Sequence, residues 1–146
     1  MHLLTFATPI LASLTSLVAA DFHVFNCAHS YGLGNQQELQ AAAVALPSNK
    51  YDCNGVRSSP SIEGLPSLYV SKSTETWNVV GLCGAKKIDA YYNSGRNEFD
   101  LYYAGGDGKV IGSCYQQSAG VKMSCSAAFD LVTCVDDWVC LTNVCN

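Results

Sequence analysis

The sequence predicts a mainly β (α+β) domain: an antiparallel sheet, or a small sandwich or barrel, with one packed helix and a set of disulfide staples. Three observations carry that expectation. From Leu68 onward, short runs rich in Val, Ile, Tyr and Phe are separated by turns containing Gly and Asn, the pattern of an antiparallel sheet. Upstream, a single stretch shows the period of an amphipathic helix. All 8 cysteines fall within residues 21–146, and an even count in a short exported chain argues for disulfides throughout.

The chain opens with MHLLTFATPILASLTSLVAA, which holds no charged side chain and ends in Val18-Ala19-Ala20. Residues 1–20 therefore read as a secretory signal peptide, with small residues suiting cleavage before Asp21. The Thr, Ser and Pro within it make a poor membrane span, so no membrane anchor is expected. Residues 21–146 are then a single cysteine-rich secreted domain, one domain by length, expected to be extracellular and monomeric.

DFHVFNCAH alternates Phe22, Val24 and Asn26 against His23, Phe25 and Cys27, and reads as a strand. In GLGNQQELQAAAVALPSN, Asn35 is placed to cap a helix with Glu38 reaching back. Leu39, Ala42, Ala43 and Leu46 would form its apolar stripe, and Pro47 would stop it. Residues 51–67 are rich in Gly, Pro and Ser and read as a long loop that Cys53 ties down. SLYVS, TWNVVGLC, KKIDAYY, NEFDLYYA and KVIGSCY follow as strands, and GVKMSCSAAFDLVTC supplies one or two more.

One hairpin allows a register to be written. If Asn93 pairs with Arg96, Ile88 and Ala90 face Leu101 and Phe99 on the buried side, while Tyr91 and Tyr102 lie on the outer face. That register sets Asp89 against Asp100, an unfavourable pair unless a lysine such as Lys87 or Lys109, or a cation, offsets it. The outer face with Tyr91 and Tyr102 is the candidate contact surface.

The chain ends in CVDDWVCLTNVC, residues 134–145. Its cysteines are separated by five and then four residues, where structural zinc sites favour pairs two to four residues apart, and no histidine lies beside them. No Cys-x-x-Cys redox pair occurs, so a disulfide-stapled tail is expected, with Trp138 plugging a core edge. The disulfide set is Cys27, Cys53, Cys83, Cys114, Cys125, Cys134, Cys140 and Cys145, with its connectivity open.

Charge and motifs exclude several functions. With 8 basic and 12 acidic residues the net charge is −4, and no basic face marks a nucleic-acid partner. After the signal peptide the only histidines are His23 and His29, about 20 Å apart along a straight strand. They cannot share one metal or one substrate atom. No phosphate loop, dinucleotide fingerprint or HExxH motif is present, so neither an enzyme nor a cofactor is expected, the alternative being a small secreted hydrolase. One metal possibility rests on processing. Cleavage before Asp21 would create the sequence Asp21-Phe22-His23, whose amine, two amides and imidazole can enclose copper(II) or nickel(II) in a square plane.

ADFHVFNC at residues 20–27, NEFDLYYAGGDGKVIGSC at residues 97–114 and the late cysteines together resemble the small cysteine-rich proteins that filamentous fungi secrete, many of them effector candidates or elicitors delivered to a host plant. The resemblance implies binding to a host protein or cell-surface component in the apoplast, with effects on defence or cell death. It carries over no functional residue, because the class shares no catalytic motif. An antimicrobial or killer-type toxin against competing microbes is the alternative. The acidic balance argues against lysis of anionic membranes.

Overall fold

A computed structural model describes residues 21–32, 38–60, 62–63, 70–71, 74–118, 120–127 and 130–145. The expected signal peptide, residues 1–20, lies outside them, as do the cap at Asn35 and residues 67–69 of SLYVS. Among the described residues nine strands form one antiparallel sheet: β1 (Phe22–Tyr31), β2 (Glu38–Pro47), β3 (Ile62–Glu63), β4 (Thr76–Val79), β5 (Ile88–Asn93), β6 (Glu98–Tyr103), β7 (Gly112–Gln116), β8 (Lys122–Ala127) and β9 (Asp130–Thr142). Among the described residues a single short α-helix, α1 (Cys53–Ser58), stands between β2 and β3. The strand order is β2-β1-β9-β7-β6-β5-β4-β3, with β8 pairing the first half of β9. The sheet curls until its ends meet, where the Ala45 amide of β2 donates to the Pro60 carbonyl just ahead of β3 at 3.2 Å. The result is a nearly closed barrel.

Parity along β1 explains the packing. Phe22 and Val24 point inward and join Ala43, Ala45, Trp77, Ile88, Ala90, Leu101 and Trp138 in the barrel interior. Phe25 and Cys27 point outward, yet they are equally buried, because a second apolar cluster of Val44, Leu46, Val56, Cys125, Val132 and Cys134 covers that side. Phe99 is the hub of the inner core, with edge-on contacts to Trp77, Tyr92 and Trp138 at 5.7, 5.2 and 4.9 Å. Such pairs add to the burial of the rings themselves.

The expected helix at 35–46 is corrected: its described part is β2. AAAVALP is apolar on both faces, since Ala43 and Ala45 enter the barrel while Val44 and Leu46 enter the outer cluster. A run buried on both sides has no polar face from which a period can be read. The described part of the expected loop at 51–67 holds α1 and β3. Asp52 caps α1 by accepting from the Gly55 amide at 2.7 Å, satisfying a donor that the first helical turn leaves open. A side chain at Gly55 would meet the Lys50 carbonyl oxygen at 1.9 Å, so only glycine lets the helix close on the preceding turn.

CVDDWVCLTNVC is not a tail. Its residues 134–142 belong to β9, which runs between β1 on one edge and β8 then β7 on the other. Pairing with β1 skips Asp137, because Phe25 opposes Asp136 and Val24 opposes Trp138. This β-bulge changes which side of β9 faces inward. Cys134 and Asp136 therefore point to the outer cluster, whereas Trp138 and Cys140 point into the barrel. Trp138 is fully buried and donates through Nε1 to the Val70 carbonyl at 3.2 Å, at the centre of the core rather than its edge.

All eight cysteines are paired. Cys27–Cys134 and Cys114–Cys140 join residues directly opposed in the ladders, the first outside the barrel and the second within it. Cys83–Cys145 anchors the end of the chain to the turn after β4, and Cys53–Cys125 pins α1 to β8.

Candidate functional site

The β5–β6 hairpin builds the outer face expected to carry Tyr91 and Tyr102, but in a different register. Asn93 pairs with Glu98, so Tyr91 opposes Asp100 and Asp89 opposes Tyr102. The turn spans residues 94–97, and Asn97 adopts a left-handed φ of 58°, a conformation that asparagine tolerates better than most side chains. A displacement of two residues preserves which side each residue faces. The assignment of faces therefore holds while the partners change.

The opposed Asp89–Asp100 pair is thereby corrected. Arg96, at the turn, pairs with Glu98 through Nε at 2.8 Å and with Asp100 through Nη2. Asn93 Nδ2 donates to the other Asp100 oxygen at 2.9 Å, and Lys87 lies 3.4 Å from Asp89. The carboxylates are thus offset by their neighbours.

Tyr91 and Tyr102 come together as diagonal neighbours, with ring centroids 5.6 Å apart and planes at 73°. Tyr91 remains 49% exposed, and it lines a polar cleft of ≈250 Å³ over the outer face of β4 and β5, together with Thr76, Asn78, Lys87 and Asp89. Asn78 is the residue that the sequence reading missed here. It lies on β4 opposite Asp89, and its Oδ1 has no hydrogen-bond partner among the described residues. Only a strand pairing can bring it beside Tyr91.

A second concavity, ≈370 Å³, lies on the other side of the molecule beneath α1. Its floor is Cys27, Ala42, Val44, Val56 and Val132, and its rim carries His29, Arg57 and Asp130. Asp130 lies 2.6 Å from His29 Nε2 and 2.9 Å from Arg57 Nη1. His29 and Arg57 therefore already share one carboxylate.

His23 and His29 project from the same side of β1, as expected, and each meets its own aspartate of β9. His23 Nδ1 is 2.7 Å from Asp136 Oδ2, and the Tyr51 hydroxyl donates to the same oxygen at 2.8 Å. Asp136 is only 1% exposed. Burial pushes the Tyr51 phenol above its ordinary range, and the hydrogen bond to Asp136 and the charge of that carboxylate push it further.

The Asp21-Phe22-His23 donors are engaged in the fold. The Asp21 amide nitrogen donates to the Cys140 carbonyl at 3.0 Å, and the Asp21 carboxylate accepts from the Cys145 amide. Phe22 and His23 are ladder residues between β2 and β9, and His23 Nδ1 is taken by Asp136. A square-planar site would require this segment to leave the sheet. Among the described residues no other His, Cys, Asp and Glu gather in threes to hold a metal, and no helix is long and apolar enough to cross a membrane.

No family model matches the chain, and no curated protein or solved structure matches it either.

Proposed function

We propose that the mature chain is an exported binding protein of the effector type, acting as a monomer on a host protein or cell-surface component in the plant apoplast. It acts by contact rather than catalysis, modulating defence or cell death through the outer face of β4–β6. The observation that carries this reading is the pair Tyr91–Tyr102: a half-exposed aromatic ring braced edge-on by a second ring, on a hairpin anchored by the buried Ile88, Ala90, Phe99 and Leu101. A ring held in place loses little freedom on binding, so more of its contact survives as affinity. Tyrosine is also favoured at protein contacts, because it presents an apolar body and a polar tip.

The four bridges suit a chain that must persist among extracellular proteases. Infiltration of the purified protein into leaves tests the reading. A defence or cell-death response that the Tyr91→Ser/Tyr102→Ser variant fails to produce, with all disulfides retained, supports it. Activity only against cultured fungi or bacteria, or an equal leaf response from the double variant, overturns it.

A further inference from the structure

We propose that the cleft over the outer face of β4 and β5 is a subsite for one neutral sugar residue of a surface glycan. The proposal rests on the reading above, in which this face meets the partner, and names the partner's chemistry.

Three features point to a sugar. The first is a wall and a polar floor in one place. Tyr91 supplies a half-exposed aromatic surface, while Asn78, Asp89, Lys87 and Thr76 line the rest. A pyranose has the matching two-sided character, with C–H groups on one face for the ring and hydroxyls around its edge.

The second is the hydrogen-bonding pattern. Each sugar hydroxyl both donates and accepts. Asp89 Oδ1 and Lys87 Nζ, 3.4 Å apart, place an acceptor beside a donor, as two adjacent hydroxyls require. Asn78 adds a part-buried amide side chain to the lining of the cleft, a group that carries both donors and an acceptor.

The third is size and charge. At ≈250 Å³ the cleft falls just below the range of about 300–1,000 Å³ that holds drug-sized ligands. It accommodates one ring rather than an extended ligand. Asp89, Glu98 and Asp100 still outnumber Lys87 and Arg96 on this face, in a chain of net charge −4, which disfavours uronate or other acidic sugars.

A single shallow subsite binds weakly, so the test uses a multivalent surface, where repeated contacts add. The processed protein is applied to an array of neutral oligosaccharides of the glucose, mannose, galactose and N-acetylglucosamine series, with uronic-acid oligosaccharides for comparison. Binding to at least one neutral series is expected. Tyr91→Ala and Asn78→Ala should each weaken it by about tenfold or more, on the scale of one lost aromatic or hydrogen-bonded contact. Tyr115→Ala, two strands away on the same face, should leave it unchanged. Intact mass and circular dichroism verify folding, and Lys87→Ala, at an exposed position, replaces Asn78→Ala if that variant does not fold.

No bound neutral series, stronger binding to the acidic series, or binding indifferent to Tyr91→Ala overturns the proposal. Its failure is separable from failure of the contact face. If binding to host tissue depends on Tyr91 and Tyr102 but survives periodate oxidation of the tissue's sugars, the face stands and the ligand is a protein. If the double variant binds tissue as well as the wild type does, the face itself is wrong.

Discussion

Removing the Cys53–Cys125 bridge by Cys53→Ser/Cys125→Ser should loosen one side of the molecule and spare the other. The bridge is the covalent link between α1 and the sheet, and α1 has only 6 residues, too few to hold a helix unaided. With Cys27–Cys134 intact, the shortest loop the bridge closes runs from Cys53 back to Cys27, across that disulfide, and from Cys134 to Cys125. For that loop of about 35 residues the chain-entropy relation gives about 4 kcal/mol, and engineered cases often deliver less. A loss of about 2–4 kcal/mol is therefore expected from urea unfolding followed by tryptophan fluorescence. Trp77 and Trp138 report on the barrel interior, so their native signal should persist without denaturant. Hydrogen exchange should show the amides of residues 54–58 losing protection while β5 and β6 keep theirs. A loss below about 1 kcal/mol, outside the usual range for a native bridge, or unchanged protection across α1, would refute the reasoning. So would collapse of the tryptophan signal in water, since the outer cluster would then be inseparable from the barrel.

Three further perturbations probe other parts of the fold. Gly55→Ala forces a Cβ to within 1.9 Å of the Lys50 carbonyl oxygen and should destabilise by about 1–3 kcal/mol; an unchanged thermal midpoint would contradict the tight closure of α1. Asn26→Ala removes the side chain that accepts from the Val70 amide at 2.9 Å and donates to its carbonyl at 3.1 Å. The lost bonds predict a destabilisation of about 2–4 kcal/mol by urea unfolding, and a loss below 1 kcal/mol, about the worth of a single ordinary hydrogen bond, would mean that water replaces the amide. For Tyr51, the folded protein holds a phenolic proton that the unfolded chain releases near its ordinary pKa of 10.0. This contribution is complete below that pH and is lost as pH rises beyond it. Between about pH 9 and pH 11 the wild type should lose more stability than Tyr51→Phe, and parallel profiles would contradict the buried bond to Asp136.

The parts of the fold legible in the sequence are those with one wet face. From Ile88 to Tyr103, polar and apolar residues alternate, so both the strands and their orientation could be read, including the outward side of Tyr91 and Tyr102. Where both faces are buried the signal vanishes. The alanine-rich β2 then looks like a helix stripe, and the second half of β9 passes for a tail because its cysteines draw attention from Val135, Val139 and Leu141. The hairpin register turned on one local choice, the left-handed Asn97, which lengthens the turn. The site was legible only in its aromatic half. Asn78 reaches Tyr91's neighbourhood through strand pairing, Arg57 meets Asp130 across 73 positions, and His23 meets Asp136 across 113. No spacing rule connects residues so far apart in the chain.

The central claim is that the Tyr91–Tyr102 face engages a host surface. Its most direct measurement is saturation binding of the labelled, naturally processed protein to plant cell-wall and membrane fractions, set beside the Tyr91→Ser/Tyr102→Ser variant. Both proteins should carry four disulfides and give the same far-ultraviolet spectrum. The account predicts saturable binding by the wild type and at least a tenfold weaker Kd for the variant, about 1.4 kcal/mol or more. Equal affinities in two equally folded proteins would contradict it.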